Sequence, residues 1–230
     1  MALQKKIRTR INYLFTVPLF IKEIIMLSSF SKNIQTTLIT SFFSSLVYAC
    51  TIPYLIIYLA GIFSKETIGL LVMINVVTSF MAGIIGGYLA DNFQRKKILL
   101  IFQNLYGVSL LLVAVNFAGI LPQNFWIIFG YLICGVTYNL YYSAFDAVLL
   151  DSTVPIERKK VYQLQYWTFN LSMALGASIG GFLFKHYLVY LFLGAALLQF
   201  IVSAFLQKNL NYKNTVSFTK GKTIIHDLFT

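Results

Sequence analysis

Apolar residues follow one another in long runs along this chain, and short polar stretches separate the runs. About 20 apolar residues in a helix are enough to cross the ~30 Å hydrocarbon core of a bilayer. The runs of that length are six in number, and they are Ile34–Phe63, Ile68–Ala90, Ile98–Ile120, Phe125–Leu150, Val161–Phe184 and Tyr187–Leu206. The pattern therefore predicts an all-α membrane protein with six transmembrane helices.

The two ends of the chain differ from this central part. Residues 1–33 mix cations with apolar residues, and the charged pair Lys22 and Glu23 argues against a further span there. No small-residue cleavage site follows in the manner of a signal peptide. We therefore expect residues 1–33 to form a basic cytoplasmic or interfacial segment, with Met26 as an alternative start. Residues 34–206 are predicted to form the helical bundle, and residues 207–230 to begin a polar cytoplasmic linker.

The composition excludes an ordinary soluble domain. Hydrophobic residues make up 58% of the 230 residues and charged residues 11%, whereas soluble domains carry about 25% charged residues. Cys50 and Cys134 lie within apolar runs, where buried thiols are expected rather than a disulfide or a metal site. His186 and His226 have no partners at ligand spacing, and no glycine-rich nucleotide loop is present. We expect no metal, no cofactor and no ATP-driven pump in this chain.

The net charge of +11 is distributed unevenly among the connections between the spans. Sixteen of the 18 cations fall in the N-terminal segment, the second and fourth connections, and the C-terminal tail. Only Lys65 and Lys185 fall in connections on the opposite side. Because Lys and Arg accumulate in cytoplasmic loops, we expect both termini in the cytoplasm and the protein in the plasma membrane. This bias explains the charge without a nucleic-acid partner.

The second connection is a short, charged turn that follows Gly86 and Gly87. Its pattern resembles the loop between the second and third helices of the major facilitator superfamily, and the matching residues are Gly87-x-Leu89-Ala90-Asp91-x-x-x-Arg95-Lys96. Asn92 and Gln94 depart from the family pattern, which favours a basic residue and a glycine there. The alternative interpretation is a plain cytoplasmic loop that carries an acid and several cations.

The resemblance implies a gate at this connection. In facilitators the loop closes against the second half of the protein, and its acid meets a helix N-terminus, where the macrodipole favours negative charge. The residues to which this role carries over are Gly87, Asp91, Arg95 and Lys96.

The fourth connection and the fifth span carry a second resemblance. The segment from Asp151 to Arg158, with the later Asn170, resembles the connection between helices four and five of bacterial drug-efflux facilitators. The helix-packing glycines that resemble the antiporter motif of helix five are Gly176, Gly180 and Gly181. The positions that depart from the family patterns are Ser172 and Ala177 in the fifth span and Tyr131 in the fourth, near where an arginine is expected.

Polar side chains recur at spacings of three and four in the first, fourth and fifth spans. These stripes comprise Thr37, Ser41, Ser44, Tyr48, Thr51 and Tyr58; then Tyr131, Gly135, Tyr138, Tyr142 and Asp146; and then Gln163, Tyr166 and Asn170. Lipid should not cover such groups, so the stripes are expected to face one another or water. One interpretation is hydrogen bonding between helices, worth under ~1 kcal/mol per contact.

The other interpretation is a pathway for substrate and protons, which the resemblance supports. Asp146 is the only acid well inside a span, and a charge at mid-membrane costs at least ~2.5–3.5 kcal/mol. The residues predicted to line the pathway are Asp146, Tyr142, Tyr138, Tyr48, Asn170 and Tyr166. A simpler role for Asp146 is interfacial, because it lies only five residues before Asp151.

The resemblance implies the N-terminal six-helix half of a twelve-helix major facilitator fold. We expect a secondary transporter, not an enzyme, which exports small organic or drug-like molecules along an ion gradient. Its expected partners are membrane lipids, the small-molecule substrate and a second six-helix half, self or separately encoded. A chain with one half alone is expected not to complete alternating access. The alternative is a half-transporter without transport activity of its own, which would act as a partner-binding membrane subunit.

Overall fold

The computed structural model describes residues 26–120 and 123–211, except for the side chains of Gln123 and Asn124. Within these residues there are six long helices and no strand. They are α1 (Lys32–Ala60), α2 (Lys65–Asn92), α3 (Arg95–Phe117), α4 (Gln123–Ser152), α5 (Arg158–Phe184) and α6 (Leu188–Asn209). Each is long and apolar enough to cross a membrane. The predicted all-α, six-span architecture is confirmed, and the chain is a multi-pass membrane protein.

The predicted segments that flank the bundle lie mostly outside the described residues. This holds for residues 1–25 of the predicted basic segment and for residues 212–230 of the predicted linker. Residues 121 and 122 of the third connection also lie outside them. The helix α6 continues to Asn209, three residues beyond the predicted end of its span.

Serine side chains begin two of the helices. The Ser31 hydroxyl accepts a hydrogen bond from the Ile34 amide at 3.4 Å at the start of α1, and the Ser64 hydroxyl accepts one from the Thr67 amide at 3.3 Å at the start of α2. Such N-caps satisfy one of the amides that the first helical turn leaves without a partner. The polar residues that precede these two spans therefore also determine where the helices start.

The helices do not pack in chain order. The strongest packing is between α2 and α4, α1 and α5, α3 and α4, and α3 and α6, whereas α2 and α3 touch little despite their short connection. As a result α2 and α5 lie at the periphery, and only small shares of their spans are buried. The interior between α1, α3, α4 and α6 contains fully buried apolar side chains such as Leu99, Phe145 and Phe192.

Small residues allow the peripheral helices to approach the others closely. A Cβ atom at Gly86 of α2 would lie 3.0 Å from the Leu140 carbonyl oxygen of α4. A Cβ atom at Gly176 of α5 would lie 2.5 Å from the Leu46 carbonyl oxygen of α1. Because these backbones nearly touch, a larger residue would force the helices apart at Gly176 and strain the contact at Gly86, as in other membrane helix pairs that cross on small residues.

The outer face of α2 exposes large apolar side chains along its length. Met73, Val77, Phe80 and Ile84 are all more than half exposed. A contiguous apolar face of this kind is unfavourable in water. Hydrocarbon around the bundle would cover it, as expected for a membrane-spanning helix.

Candidate functional site

Arg95 joins three helices at one end of the bundle, which we call the basic end. The basic end comprises the start of α1, the α2–α3 connection, the α4–α5 connection and the end of α6. The Arg95 guanidinium forms ion pairs with Asp91 of α2 at 2.8 Å and with Asp151 of α4 at 2.5 Å. It also donates hydrogen bonds to the carbonyl oxygens of Ala90 and Ala147, both at 3.1 Å. We call Asp91, Arg95 and Asp151 the Arg95 cluster.

The electrostatics of the helix ends explain this arrangement. Asp91 and Asp151 lie in the last turns of α2 and α4, where the negative end of the helix macrodipole disfavours an acid. The Arg95 guanidinium lies between the two acids and offsets this unfavourable interaction at each of them. It also donates hydrogen bonds to carbonyl oxygens near both helix ends. The cluster therefore holds the ends of α2 and α4 to the start of α3.

Lys96 links the start of α3 to the end of α6 in a similar way. Its amine donates to the carbonyl oxygens of Gln207 at 2.9 Å and Leu210 at 2.5 Å, at the C-terminus of that helix. The last carbonyl groups of a helix have no partner within the helix, and cations favour that position. Asn33 adds a link from α1, because its side chain exchanges two hydrogen bonds with the backbone of Asn211.

The remaining predicted gate residues lie on open surface. The Asp91 side chain is 66% exposed although it contacts Arg95. A Cβ atom at Gly87 would meet nothing within 4 Å, so no described residue packs on that glycine. Of the four residues, the structure directs Arg95 and Lys96 toward helices of the same bundle and leaves Gly87 and Asp91 accessible.

Asp146 of α4 lies beside an open cleft between α4 and α5. The cleft has a volume of about 290 Å³ and is lined by Tyr142, Asp146, Tyr162, Gln165, Tyr166 and Phe169. The Gln165 amide donates a hydrogen bond to Oδ1 of Asp146 at 3.0 Å and contacts the Tyr142 hydroxyl at 3.4 Å. The cleft exists because α4 and α5, although consecutive in the chain, hardly touch.

Aromatic rings continue from this cleft along α4. The rings of Tyr48 on α1 and Tyr138 on α4 stack with centroids 4.2 Å apart, and the Tyr138 and Tyr142 centroids are 6.1 Å apart. Tyr138 is also held by a 3.3 Å hydrogen bond between its hydroxyl and the Ser45 hydroxyl. The structure thus brings Tyr48, Tyr138, Tyr142 and Asp146 into one connected row, which leads to Tyr166.

Asn170 stands apart from that row. It is exposed on α5, and its amide donates to the Tyr166 carbonyl oxygen of its own helix at 2.7 Å. Gln165, which sequence reasoning missed, is the α5 side chain that contacts Asp146. Its position between Tyr162 and Tyr166, with Phe169 one turn on, is the helical spacing that could have indicated it. Gln163, in the predicted stripe, is exposed.

A second missed residue is Asn75 of α2. Its amide donates to the Tyr131 carbonyl oxygen at 3.3 Å, and a Cβ atom at Gly135 would lie 2.5 Å from that amide nitrogen. The polar stripe of α4 thus meets α2 through Asn75. A lone asparagine within an apolar run was the available signal, because such a side chain needs a partner away from lipid.

The three helix-packing glycines all face α1. Gly176 and Gly180 are buried, and Cβ atoms there would overlap the backbone near Leu46 and the Tyr54 ring, respectively. Gly181 lies beside the Tyr54 hydroxyl, which itself donates a hydrogen bond to the Ala177 carbonyl oxygen. Close α1–α5 packing is therefore built on glycines and one tyrosine.

Three polar side chains lie deep in the interior between α1, α3 and α6. Ser44, Gln103 and Gln199 are fully buried and hydrogen-bonded to one another, with the Ser44 hydroxyl 3.2 Å from the Gln199 side-chain oxygen. We call these residues the buried triad. Ser44 belongs to the predicted α1 stripe, and the structure places it inside the bundle, away from the cleft between α4 and α5.

The chemistry available at the cleft is that of one carboxyl group among hydroxyl, amide and aromatic groups. Asp146 can take up and release a proton or bind a cation in exchange. Among the described residues, no cluster of three His, Cys, Asp or Glu side chains could hold a metal ion. The arrangement suits reversible binding rather than covalent catalysis.

Comparisons with known proteins identify similar sequences. The chain matches the family model of the Major Facilitator Superfamily over residues 37–226. It is similar to the "Na(+), Li(+), K(+)/H(+) antiporter" of Planococcus maritimus, with 27% identity over 181 residues, 79% of this chain and 43% of the antiporter. It is also similar to the "Uncharacterized MFS-type transporter YqjV" of Bacillus subtilis (strain 168), with 29% identity over 148 residues, 63% of this chain and 35% of that transporter. The matches span less than half the length of either relative.

Proposed function

Because the chain belongs to the major facilitator superfamily, a family of transporters rather than enzymes, we propose that it forms one half of a secondary transporter that exports small organic molecules. Transport is driven by an ion gradient, and Asp146 is the group that exchanges protons. The observation that carries this proposal is the position of Asp146, inside a span and at the edge of the cleft between α4 and α5.

An ionisable side chain inside a membrane span, such as Asp146, carries a free-energy cost that is usually tolerated only where the side chain has a function. Among the described residues the other acids within helices, Glu66, Asp91 and Asp151, lie in first or last turns, whereas Asp146 lies six residues before the end of α4. That is about 9 Å along the helix. Ionisable groups at membrane depth are rare and in most cases face a cavity or the interior of a bundle. The cleft and the Gln165 hydrogen bond supply that environment here.

A second six-helix half, on the same or another polypeptide, supplies the other wall of the pathway in this proposal. Secondary transporters of this kind bind substrate near the midplane between two repeats that rock about it. Support comes from Gly87 and Asp91, which the structure leaves accessible at the basic end. Asp91 is placed to contact the second half, while Arg95 and Lys96 keep the helices of this half together as one body.

The basic end faces the cytoplasm in this proposal. The 16-to-2 distribution of cations supports that orientation through the positive-inside rule. Because Asp146 lies about 9 Å along α4 from that end, it is reached from the cytoplasm, as an export mechanism requires. Both chain termini are then cytoplasmic, in the plasma membrane.

A second candidate function is the exchange of monovalent metal cations for protons. It is favoured by the similarity to the antiporter of Planococcus maritimus, whose name specifies Na(+), Li(+) and K(+). It is also favoured by the oxygen atoms around the cleft, which are the Asp146 carboxylate and the tyrosine hydroxyls. Hard cations prefer such oxygen ligands.

Transport in proteoliposomes tests both candidates. The tagged protein is purified from its native membrane, with any chain that supplies a second half, and reconstituted with a pH-sensitive dye inside. Ethidium, norfloxacin and chloramphenicol serve as cationic, zwitterionic and neutral test compounds, and sodium, lithium and potassium chlorides test metal exchange. Proton movement coupled to an organic compound supports the first candidate, and coupling to the salts alone supports the second.

The role of Asp146 is tested in the same vesicles. Asp146→Asn is expected to lower coupled transport at least about tenfold, in line with the contribution of a proton-transferring group. Glu66→Gln, which changes an exposed acid at the other end of the bundle, is the matched control and should retain activity. Undiminished proton coupling in Asp146→Asn would refute the assignment.

A further inference from the structure

The cleft between α4 and α5 combines one carboxylate with several aromatic side chains. We propose that it binds an organic cation through an alkylammonium group. Asp146 supplies the opposite charge, and Tyr142, Tyr162, Tyr166 and Phe169 supply the aromatic surroundings. This inference rests on the proposed function, because it treats the cleft as part of the transport pathway, and it names the chemical class of the substrate.

The lining of the cleft determines the charge of the ligand. Asp146 is the only acidic side chain that lines it, and no Lys, Arg or His side chain does. The faces of aromatic rings carry partial negative charge and attract cations within about 6 Å, which is the basis of aromatic cages for quaternary ammonium groups. An anion would meet the Asp146 carboxylate with no cation in the lining to offset it. A cationic ligand is therefore the one that this cleft stabilises.

The same lining favours an organic cation over a metal ion. A hard metal ion prefers several oxygen ligands and about six or more contacts. The Gln165 amide nitrogen is turned toward Oδ1 of Asp146, so that side chain directs a donor, not a ligand oxygen, to the carboxylate. Four of the six lining side chains are aromatic, and a ring face replaces water around an alkylammonium group far better than around a metal ion.

Gln165 positions the carboxylate for this contact. It is 8% exposed and donates to one oxygen of Asp146, Oδ1, while also contacting the Tyr142 hydroxyl. A carboxylate has a second oxygen that accepts hydrogen bonds or faces a cation. Gln165 thus holds the carboxyl group at the edge of the cleft without using both of its oxygens.

The size of the cleft limits the ligand. Its volume of about 290 Å³ lies just below the range of roughly 300–1,000 Å³ seen for small-molecule sites. A trimethylammonium group with a short substituent fits such a space. Tyr166 and Tyr162 are 68% and 39% exposed, so the α5 side of the cleft is open to an entering ligand.

Equilibrium binding to the purified protein in detergent tests the charge preference. Choline and 3,3-dimethylbutan-1-ol have the same shape, but the second has carbon in place of the charged nitrogen. We expect choline to bind at least about tenfold more tightly by calorimetry, which corresponds to an opposite charge in partly screened contact. Asp146→Asn should remove this preference. Equal binding of the two compounds to the unaltered protein, or an undiminished preference in Asp146→Asn, would overturn the proposal.

Ring substitutions test the aromatic part and do not depend on the folding of Asp146→Asn. Tyr166→Leu and Tyr162→Leu are each expected to weaken choline binding about three- to tenfold, as loss of a cation–π contact predicts. Tyr166→Phe retains a ring and should bind as the unaltered protein does. Tyr190→Leu, which changes a 71% exposed tyrosine on α6, is the matched control. Equal binding by Tyr166→Leu and Tyr166→Phe would contradict the aromatic role.

The alkylammonium group has two sources, a free organic cation or the choline headgroup of a phospholipid. Choline binding is therefore repeated in nanodiscs of phosphatidylglycerol with and without phosphatidylcholine. Competition by phosphatidylcholine assigns the site to a lipid headgroup. A lack of competition assigns the site to a free cation, and both results support the alkylammonium chemistry.

The same measurements separate this inference from the proposed function. Equal binding of choline and its neutral analogue, with Asp146-dependent transport intact, would reject the substrate class alone. A preference for choline without Asp146-dependent transport would reject the proposed function alone.

Discussion

Arg95 and Asp151 form an ion pair of 2.5 Å that joins the first residue of α3 to the last turn of α4. The same guanidinium contacts Asp91 at the end of α2, so one side chain holds three helix ends. These helices contact one another unevenly, since α2 and α3 touch little elsewhere. The Arg95 cluster is therefore the main link between α2 and α3 at the basic end.

The first prediction concerns this cluster. Arg95→Gln should lower the free energy of unfolding by about 2 kcal/mol, because hydrogen bonds to charged groups contribute roughly 1.5–3 kcal/mol. Thermal unfolding in mild detergent measures the change. Arg158→Gln, at the exposed first residue of α5, is the control and should be nearly neutral. Equal stability of the two variants would show that the cluster contributes little.

The second prediction concerns the packing of α1 and α5. Gly180→Ala introduces a Cβ atom that overlaps the Tyr54 ring and lies 2.7 Å from the Cys50 carbonyl oxygen. Overpacking of this kind costs about 1–3 kcal/mol, and the thermal unfolding temperature should fall accordingly. Gly194→Ala is the matched control, because a Cβ atom there meets nothing within 4 Å. A Gly180→Ala protein as stable as Gly194→Ala would exclude close packing at this crossing.

The third prediction concerns the buried triad of Ser44, Gln103 and Gln199. Gln103→Leu alone removes the hydrogen bonds that Gln103 donates to Ser44 and Gln199, and the loss of one partner at each of these fully buried side chains should cost about 1–3 kcal/mol. Replacing all three with Ala, Leu and Leu removes the unpaired groups and should restore most of the stability. The two unfolding temperatures are compared in the same detergent. A triple variant less stable than Gln103→Leu would indicate that the triad itself stabilises the bundle.

The fourth prediction concerns orientation. Cysteines introduced at Lys65 and Lys185 should react with a membrane-impermeant reagent in sealed cells, because the cation bias predicts that these positions lie outside. Cysteines at Lys97 and Lys159, both exposed at the basic end, should react only after the membrane is opened. The natural Cys50 and Cys134 are buried and should contribute little background. Labelling of position 97 in sealed cells would reverse the proposed topology.

The positions of the helices along the chain could be predicted from the sequence by itself. Every helix begins and ends within three residues of its predicted span. The reason is physical: a membrane helix satisfies all of its backbone hydrogen bonds within one segment, so length and local hydropathy suffice to locate it. The charged connections that separate the helices can be located from the local sequence for the same reason.

Only the tertiary structure decided which side chains meet. Gln165 rather than Gln163 faces Asp146, Arg95 joins helices of its own bundle, and Ser44 lies in the interior, away from the cleft. Adjacent residues on a helix point about 100° apart, so a span with polar residues on several sides permits more than one stripe. Which stripe faces the cleft depends on the rotation of each helix against non-neighbouring helices, such as α5 against α1 through Gly176 and Gly180. That rotation is set by contacts between distant parts of the chain, and no local pattern contains it.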